Sequence, residues 1–202
     1  MAIRSARAQD VARMATLLLD GFKLVPLKFQ MFSGIVHAGL QADIHYRMAK
    51  PSLYQAFVAV NAIEQVVGTV EVQIQQSNSW LGLTGRYGYL SNLTVDSRYR
   101  RSGLAAALLQ ACAQQVIAWD EEQLLLHVMA ENTSARRLYL RSGYQIQSRT
   151  QGLFFFTGKR NERLLLNRPL KGPNLASGEI VDGLRPSNHH PTIGGGTFEG
   201  VR

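Results

Sequence analysis

The chain has 202 residues, 46% of them hydrophobic and 18% charged, which suits one soluble domain with a sizeable core and excludes a largely disordered chain. Its single cysteine, Cys112, excludes an intrachain disulfide and a cysteine-based zinc site, and fits a cytoplasmic location. The net charge is +8; residues 172–202 hold two arginines against Glu179, Asp182 and Glu199, so the first 171 residues carry +9 and favour anionic partners.

Residues 2–5 read as an opening strand. Residues 9–22 place Val11, Met14, Ala15, Leu18 and Leu19 at helical spacing, with Asp10 available as a cap. Residues 1–10 include Arg4 and Arg7 but no apolar run of signal-peptide length, so no leader is expected. Residues 32–48 predict a second helix, weakened by Gly34 and Gly39 and broken at Lys50-Pro51.

Three runs rich in Val, Ile, Tyr and Thr follow, at residues 55–61, 66–75 and 87–95. Val70, Val72 and Ile74 alternate with Glu71, Gln73 and Gln75, and the short links predict an antiparallel meander. The pattern then changes to a helix over residues 103–119, with Leu104, Leu108, Cys112, Val116 and Trp119 on one stripe. Its glutamines and alanines mark a packed helix, not a membrane span. Residues 123–129 (QLLLHVM) read as a buried central strand. A helix over residues 132–142 stops at Gly143. Strands over residues 144–156 and 163–168 complete a mixed α/β domain, residues 1–171. Residues 172–202, rich in Gly and Pro, read as a flexible tail. The adjacent His189 and His190 within it are not assigned to a metal.

The segment from Leu93 to Ala106 carries the chemistry. A strand ends, an arginine-rich turn with one glycine follows, and a helix begins. The first amides of a helix lack intrahelical partners, and the helix dipole adds positive potential there. The small residues Gly103 and Ala105 would let a phosphate approach the backbone, with Arg98, Arg100 and Arg101 as mobile positive charge around it. This is neither the three-glycine dinucleotide fingerprint nor a Gly-Lys-Ser/Thr loop. Thirty residues on, Asn132, Ala135 and Tyr139 fall at i, i+3 and i+7 on one helical face.

These two motifs resemble those of the GNAT-type N-acetyltransferase superfamily. Arg100-Arg101-Ser102-Gly103-Leu104-Ala105 matches its Arg/Gln-x-x-Gly-x-Gly/Ala turn. Asn132, Ala135, Tyr139, Gly143 and Tyr144 match its downstream Asn-to-Tyr helix. The wording is similar to the plastid and cyanobacterial branch. The resemblance implies a mostly antiparallel seven-stranded sheet splayed in a V, flanked by about four helices. It implies acetyl-CoA as co-substrate in the gap, with the pantetheine on Leu93, Thr94 and Val95 and the pyrophosphate on residues 101–106. Ser102 departs from the commoner basic or glycine residue, and Ala105 from the commoner glycine.

By the same resemblance, Tyr139 matches a family tyrosine that donates to the departing sulfur. His127 takes the position of a glutamate that some protein N-terminal acetyltransferases of the family carry on the preceding strand, and its ordinary pKa suits proton acceptance near neutrality, directly or through water. Glu71 and Glu131 are reserve bases, and Asn132 joins the cofactor contacts. The acceptor would enter between residues 21–34 and 146–161; Phe22, Pro26, Phe29 and Phe32 there suit either an apolar channel or the core, and Phe154 to Phe156 are assigned to the core. The implied reaction is acetyl transfer to a primary amine, a protein N-terminus or lysine. The alternatives are a small-amine acetyltransferase and a non-catalytic protein of this fold that binds acyl-CoA or nucleic acid. No membrane partner and no metal are expected, nucleic acid is not favoured, and the assembly is a monomer or homodimer.

Overall fold

The computed structural model describes residues 1–22, 33–50, 53–78, 84–153 and 160–170. Seven strands form one sheet: β1 (Ala2–Ser5), β2 (Tyr54–Val60), β3 (Val66–Asn78), β4 (Thr84–Val95), β5 (Gln123–Met129), β6 (Gln145–Leu153) and β7 (Arg160–Pro169). Their spatial order is β1-β2-β3-β4-β5-β7-β6. Every pairing is antiparallel except β4 with β5. That exception follows from the connection, because a helical crossover returns the chain in the same direction whereas a tight turn reverses it.

Four helices flank the sheet: α1 (Val11–Phe22), α2 (Ser33–Ala49), α3 (Leu104–Ala118) and α4 (Thr133–Arg141). The stripe read from the sequence faces inward on α3. Leu104, Leu108, Leu109, Cys112, Ala113 and Val116 pack with Val70, Val72, Leu90, Leu124 and Leu126. Each fully buried leucine or valine there contributes about 1.5–3 kcal/mol. The opposite face is covered by Val11, Met14, Ala15 and Leu18 of α1 and Ile44 of α2, over Ala56, Val58 and Val60. Gly88 of β4 lies under α3, where an added Cβ would come within 2.5 Å of Val116 Cγ2.

The parallel pair is short. Only Gly88 with Leu124 and Tyr89 with Leu125 are in register, and beyond them β4 and β5 diverge. β5 instead stays paired with β7 as far as Met129. A bulge helps the divergence. The β3–β4 register slips between Thr69 and Glu71, opposite Thr94 and Ser91, leaving one extra residue on β4. Asn92, in that extra stretch, has φ 55°, a left-handed conformation that asparagine tolerates better than most residues.

Several boundaries differ from the sequence reading. The first helix begins at Val11, after a 3₁₀ turn over Ala8–Asp10, so Asp10 does not open it. Instead its carboxylate accepts the Arg7 amide at 2.7 Å and the Arg4 guanidinium at 2.7 and 3.1 Å. β3, β4 and β7 run longer than their apolar patterns because backbone pairing continues through polar residues such as Gln76 with Arg86. The tail from residue 172, Phe29, Phe32, the phenylalanines at 154–156, and His189-His190 lie outside the described residues.

Candidate active site

The turn before α3 is built to expose amides. Arg101 has φ 62° and Gly103 has φ 83°, so two left-handed residues bracket Ser102. Gly103 stands at the N-cap of α3, which has no side-chain cap and no acidic residue in its first turn. The amides of Leu104, Ala105 and Ala106 therefore lack the partners that a capping side chain supplies elsewhere. Ser102 Oγ donates to the Tyr99 carbonyl at 2.6 Å and pins the turn. An oxyanion fits this concavity, because it meets backbone donors, dipole and arginine together.

The arginines are less interchangeable than the sequence reading held. Arg98 is not mobile charge: its guanidinium donates to both Asp96 carboxylate oxygens, at 3.1 and 2.8 Å. Arg13 donates to the same group at 2.8 Å. The Arg98 hydrogen bonds dominate in holding the Asp96 carboxyl down at about 2, against a smaller opposing effect of burial. Arg100 Nε donates to the Val95 carbonyl at 3.2 Å, which ties the turn back to the end of β4. Arg101 is exposed and makes no ion pair among the described residues.

Leu93, Thr94 and Val95 form the diverging end of β4. Their β5-facing edge has no in-register partner, so main-chain groups are available to an extended ligand. Thr94 is buried, and its hydroxyl donates to the Leu17 carbonyl of α1 at 3.5 Å. Asn132 caps α4, with Oδ1 accepting the Ala135 amide at 3.1 Å. That bond uses one of the two lone pairs of its carbonyl oxygen and leaves its amide nitrogen for a cofactor contact.

Tyr139 lies on the inner face of α4, 8% exposed, with its ring edge-on to Tyr144 at 5.6 Å. Burial, with a smaller contribution from Tyr89, pushes its phenol up to about 12. His127 lies on the other face of the sheet, where β5 side chains alternate away from α3. The Tyr89 hydroxyl and His127 Nδ1 share a hydrogen bond at 3.0 Å. Burial first, and the Arg163 charge second, hold His127 below its ordinary pKa. Burial likewise raises the Tyr89 phenol, against the neighbouring Arg163. These groups line a cavity of about 210 Å³ together with Gln75, Tyr87 and two leucines. Tyr89 was missed in the sequence. Its signal was the alternation of Tyr87, Tyr89 and Ser91 on one strand face, but nothing local shows that this face meets His127.

The reserve bases separate. Glu71 is 1% exposed, pairs with Arg47 of α2 at 3.0 Å, and accepts Asn92 Nδ2 at 3.0 Å. Burial raises its carboxyl, opposed by Arg47 and the Asn92 hydrogen bond. It anchors the bulge and is not in the His127 cavity. Glu131 is exposed just before the Asn132 cap, where its charge favours the α4 N-terminus.

A break between two parallel strands, an uncapped helix start after the first and a tyrosine on the helix after the second belong to the fold that the sequence resemblance implies. Residues 28–144 match the Acetyltransferase (GNAT) family, and the chain belongs to that family. It is 32% identical over 150 residues to GCN5-related N-acetyltransferase 10, chloroplastic, of Arabidopsis thaliana, covering 68% of this chain and 59% of that protein. It is 28% identical over 81 residues to human N-alpha-acetyltransferase 30, covering 40% of this chain and 21% of that protein. The chain thus spans less than two thirds of the length of these relatives. Among solved structures, Arabidopsis NAA60 with a bisubstrate analogue superposes with a TM-score of 0.62 at 20% identity, covering 83% of this chain and 97% of that one. The ribosomal-protein-S18-alanine N-acetyltransferase of Escherichia coli superposes at 0.61 and 19%, covering 86% and 97%. Among the described residues, no helix is long and apolar enough to cross a membrane.

Proposed function

We propose that the chain is an acetyl-CoA-dependent N-acetyltransferase acting on the primary amine of a protein or peptide, in a ternary complex of enzyme and both substrates. The observation that carries this reading is the break between β4 and β5, with the uncapped α3 N-terminus following β4 and the Tyr89–His127 pair standing next to the last paired residues. The relatives named as N-alpha-acetyltransferases support the acceptor class.

The amides of residues 104–106 and the exposed Arg101 would hold the pyrophosphate of acetyl-CoA, and the free edge of Leu93 to Val95 its pantetheine arm. The co-substrate supplies an activated acetyl thioester. Two protons leave the acceptor ammonium during transfer. His127 accepts the first through the Tyr89 hydroxyl, which frees the nitrogen lone pair for attack. The new C–N bond forms as the C–S bond breaks, and the second proton ends on sulfur. A β4 amide near Leu93 donates to the developing oxyanion. Tyr139 donates a hydrogen bond to the departing sulfur. A phenol near 12 stays protonated beside a thiol of about 8.5, so the tyrosine stabilises the leaving group without surrendering its proton outright.

Cytoplasmic action is part of the proposal, consistent with Cys112, whose buried thiol is pushed far above its ordinary range and stays reduced and inert. Calorimetric titration with acetyl-CoA and CoA, followed by thiol release with peptide acceptors, tests the reading. Binding of both, with peptide-dependent release, is the expected result. Absence of binding by folded protein overturns it.

A further inference from the structure

The cavity beside His127 has a charge asymmetry that the transfer chemistry does not require. Among the described residues, Gln75, Tyr87, Tyr89, Leu125, His127 and Leu165 line it with one formal charge, Arg163, and no carboxylate. The nearest acidic groups in sequence or register are occupied elsewhere. Glu162 pairs with Arg149 at 3.5 Å, and Glu71 is buried against Arg47. Among the described residues Arg163 makes no ion pair of its own, and it is exposed.

Its position follows from sheet register. On β7, Leu165 faces His127 and Arg163 faces Met129, so Arg163 lies one side-chain repeat beyond the base, toward the diverging end of β5. That repeat is about 7 Å along the strand. The guanidinium itself reaches back to the Tyr89 hydroxyl and acts on His127, so an acceptor amine within proton-transfer reach of that pair brings the groups next to it against a positive charge. For a peptide N-terminus these groups are the side chains of the first two residues. For a lysine chain or a polyamine, a second cation or an aliphatic stem arrives there instead. Arginine also offers a planar fork that matches a carboxylate with two parallel hydrogen bonds.

We propose that Arg163 is a specificity determinant that selects peptide N-termini carrying a carboxylate side chain in their first two residues and disfavours polycationic acceptors. The inference rests on the peptide-amine reading above and narrows it. It also gives the +9 of residues 1–171 a second use besides attracting the co-substrate.

The test uses two sets of otherwise identical peptides, with Glu, Gln or Lys at position one or at position two. Rates are compared for wild type, Arg163→Gln, Arg163→Lys and Arg163→Glu at pH 8.5, well above the ordinary histidine pKa near 6.5. In wild type kcat/KM is expected to favour Glu over Lys by about tenfold in at least one set, the scale of a partly screened charge pair plus the matching repulsion. Arg163→Lys retains most of the ratio, Arg163→Gln brings it near one, and Arg163→Glu inverts it. Because each ratio is taken within one variant, a general loss of rate does not imitate the effect. Equal rates for Glu and Lys peptides in wild type, or a ratio unmoved in Arg163→Glu, overturn the selection role and leave peptide acetylation standing. Failure of every peptide as acceptor by protein that still binds acetyl-CoA overturns the peptide reading itself, and Arg163 selection with it.

Discussion

Burial tunes Tyr139 and His127 in opposite senses with one outcome. Desolvation disfavours whichever form is charged, so it raises the phenol and lowers the imidazole, and both groups are neutral at pH 7. The tyrosine keeps a proton to offer, and the histidine keeps a lone pair to receive one. Tyr139→Phe is expected to cut kcat by roughly 10²–10⁴-fold while acetyl-CoA affinity is retained, as thiol release and calorimetry would read. His127 lies below its ordinary 6.5, so its own protonation lowers kcat/KM only as pH drops through that lowered value, apart from the titration of the acceptor amine at higher pH. His127→Gln should lower the plateau and abolish that acid limb in a pH–rate profile; a limb that persists assigns it to another group. Tyr139 was legible in the sequence because its partners Asn132, Ala135 and Gly143 are local. Tyr89 was not, because its hydrogen bond to His127 spans 38 residues.

At the scale of elements, the break in the sheet depends on neighbours that hold β4 away from β5. From one side, Arg47 of α2 and Glu71 of β3 fix Asn92 in its left-handed bulge. From the other, Gly21 of α1 sits directly on Thr94, and a Cβ at position 21 would collide with the threonine hydroxyl. Glycine is required here for close approach, since its backbone is ordinary helix. Gly21→Ala is expected to cost roughly 1–3 kcal/mol of stability and to weaken acetyl-CoA binding by displacing the edge that receives it. Adding Thr94→Ala to Gly21→Ala makes room for the methyl group and should recover most of the stability. Thermal unfolding of the two single variants and the double variant reads that coupling. The helices themselves were plain from periodicity, whereas strand ends were under-read, because main-chain pairing does not depend on apolar side chains.

At the scale of the whole molecule, Asp10 closes the first turn of chain onto the first strand. Burial alone would raise its carboxyl. Arg4 and the Arg7 amide outweigh that and hold it below the ordinary carboxylate range. A depressed carboxyl stabilises the fold at pH values above its unfolded pKa, near 3.9, and that stabilisation is lost as pH falls through the folded value. Asp10→Asn is therefore expected to lower stability at pH 7 by roughly 1–3 kcal/mol. The gap between variant and wild type should narrow below about pH 4, which denaturant unfolding at pH 7 and pH 3 would measure. A gap of constant size would show that the loss is one of packing and not of ionisation.

The sequence by itself determined the helix stripes, the change from antiparallel meander to crossover, and the anion-accepting turn before α3. Each of these is a matter of residues within a few positions of one another, where backbone geometry and side-chain period act directly. Only the tertiary structure decided that β7 lies between β5 and β6, and that β4 and β5 part after Leu125. It likewise decided that Tyr89 meets His127, that Glu71 is spent on the bulge, and that Arg163 shares a cavity with that pair. These are choices among strand partners distant in sequence, and strands with similar apolar patterns do not specify which neighbour they take until the whole sheet closes over its two helical layers.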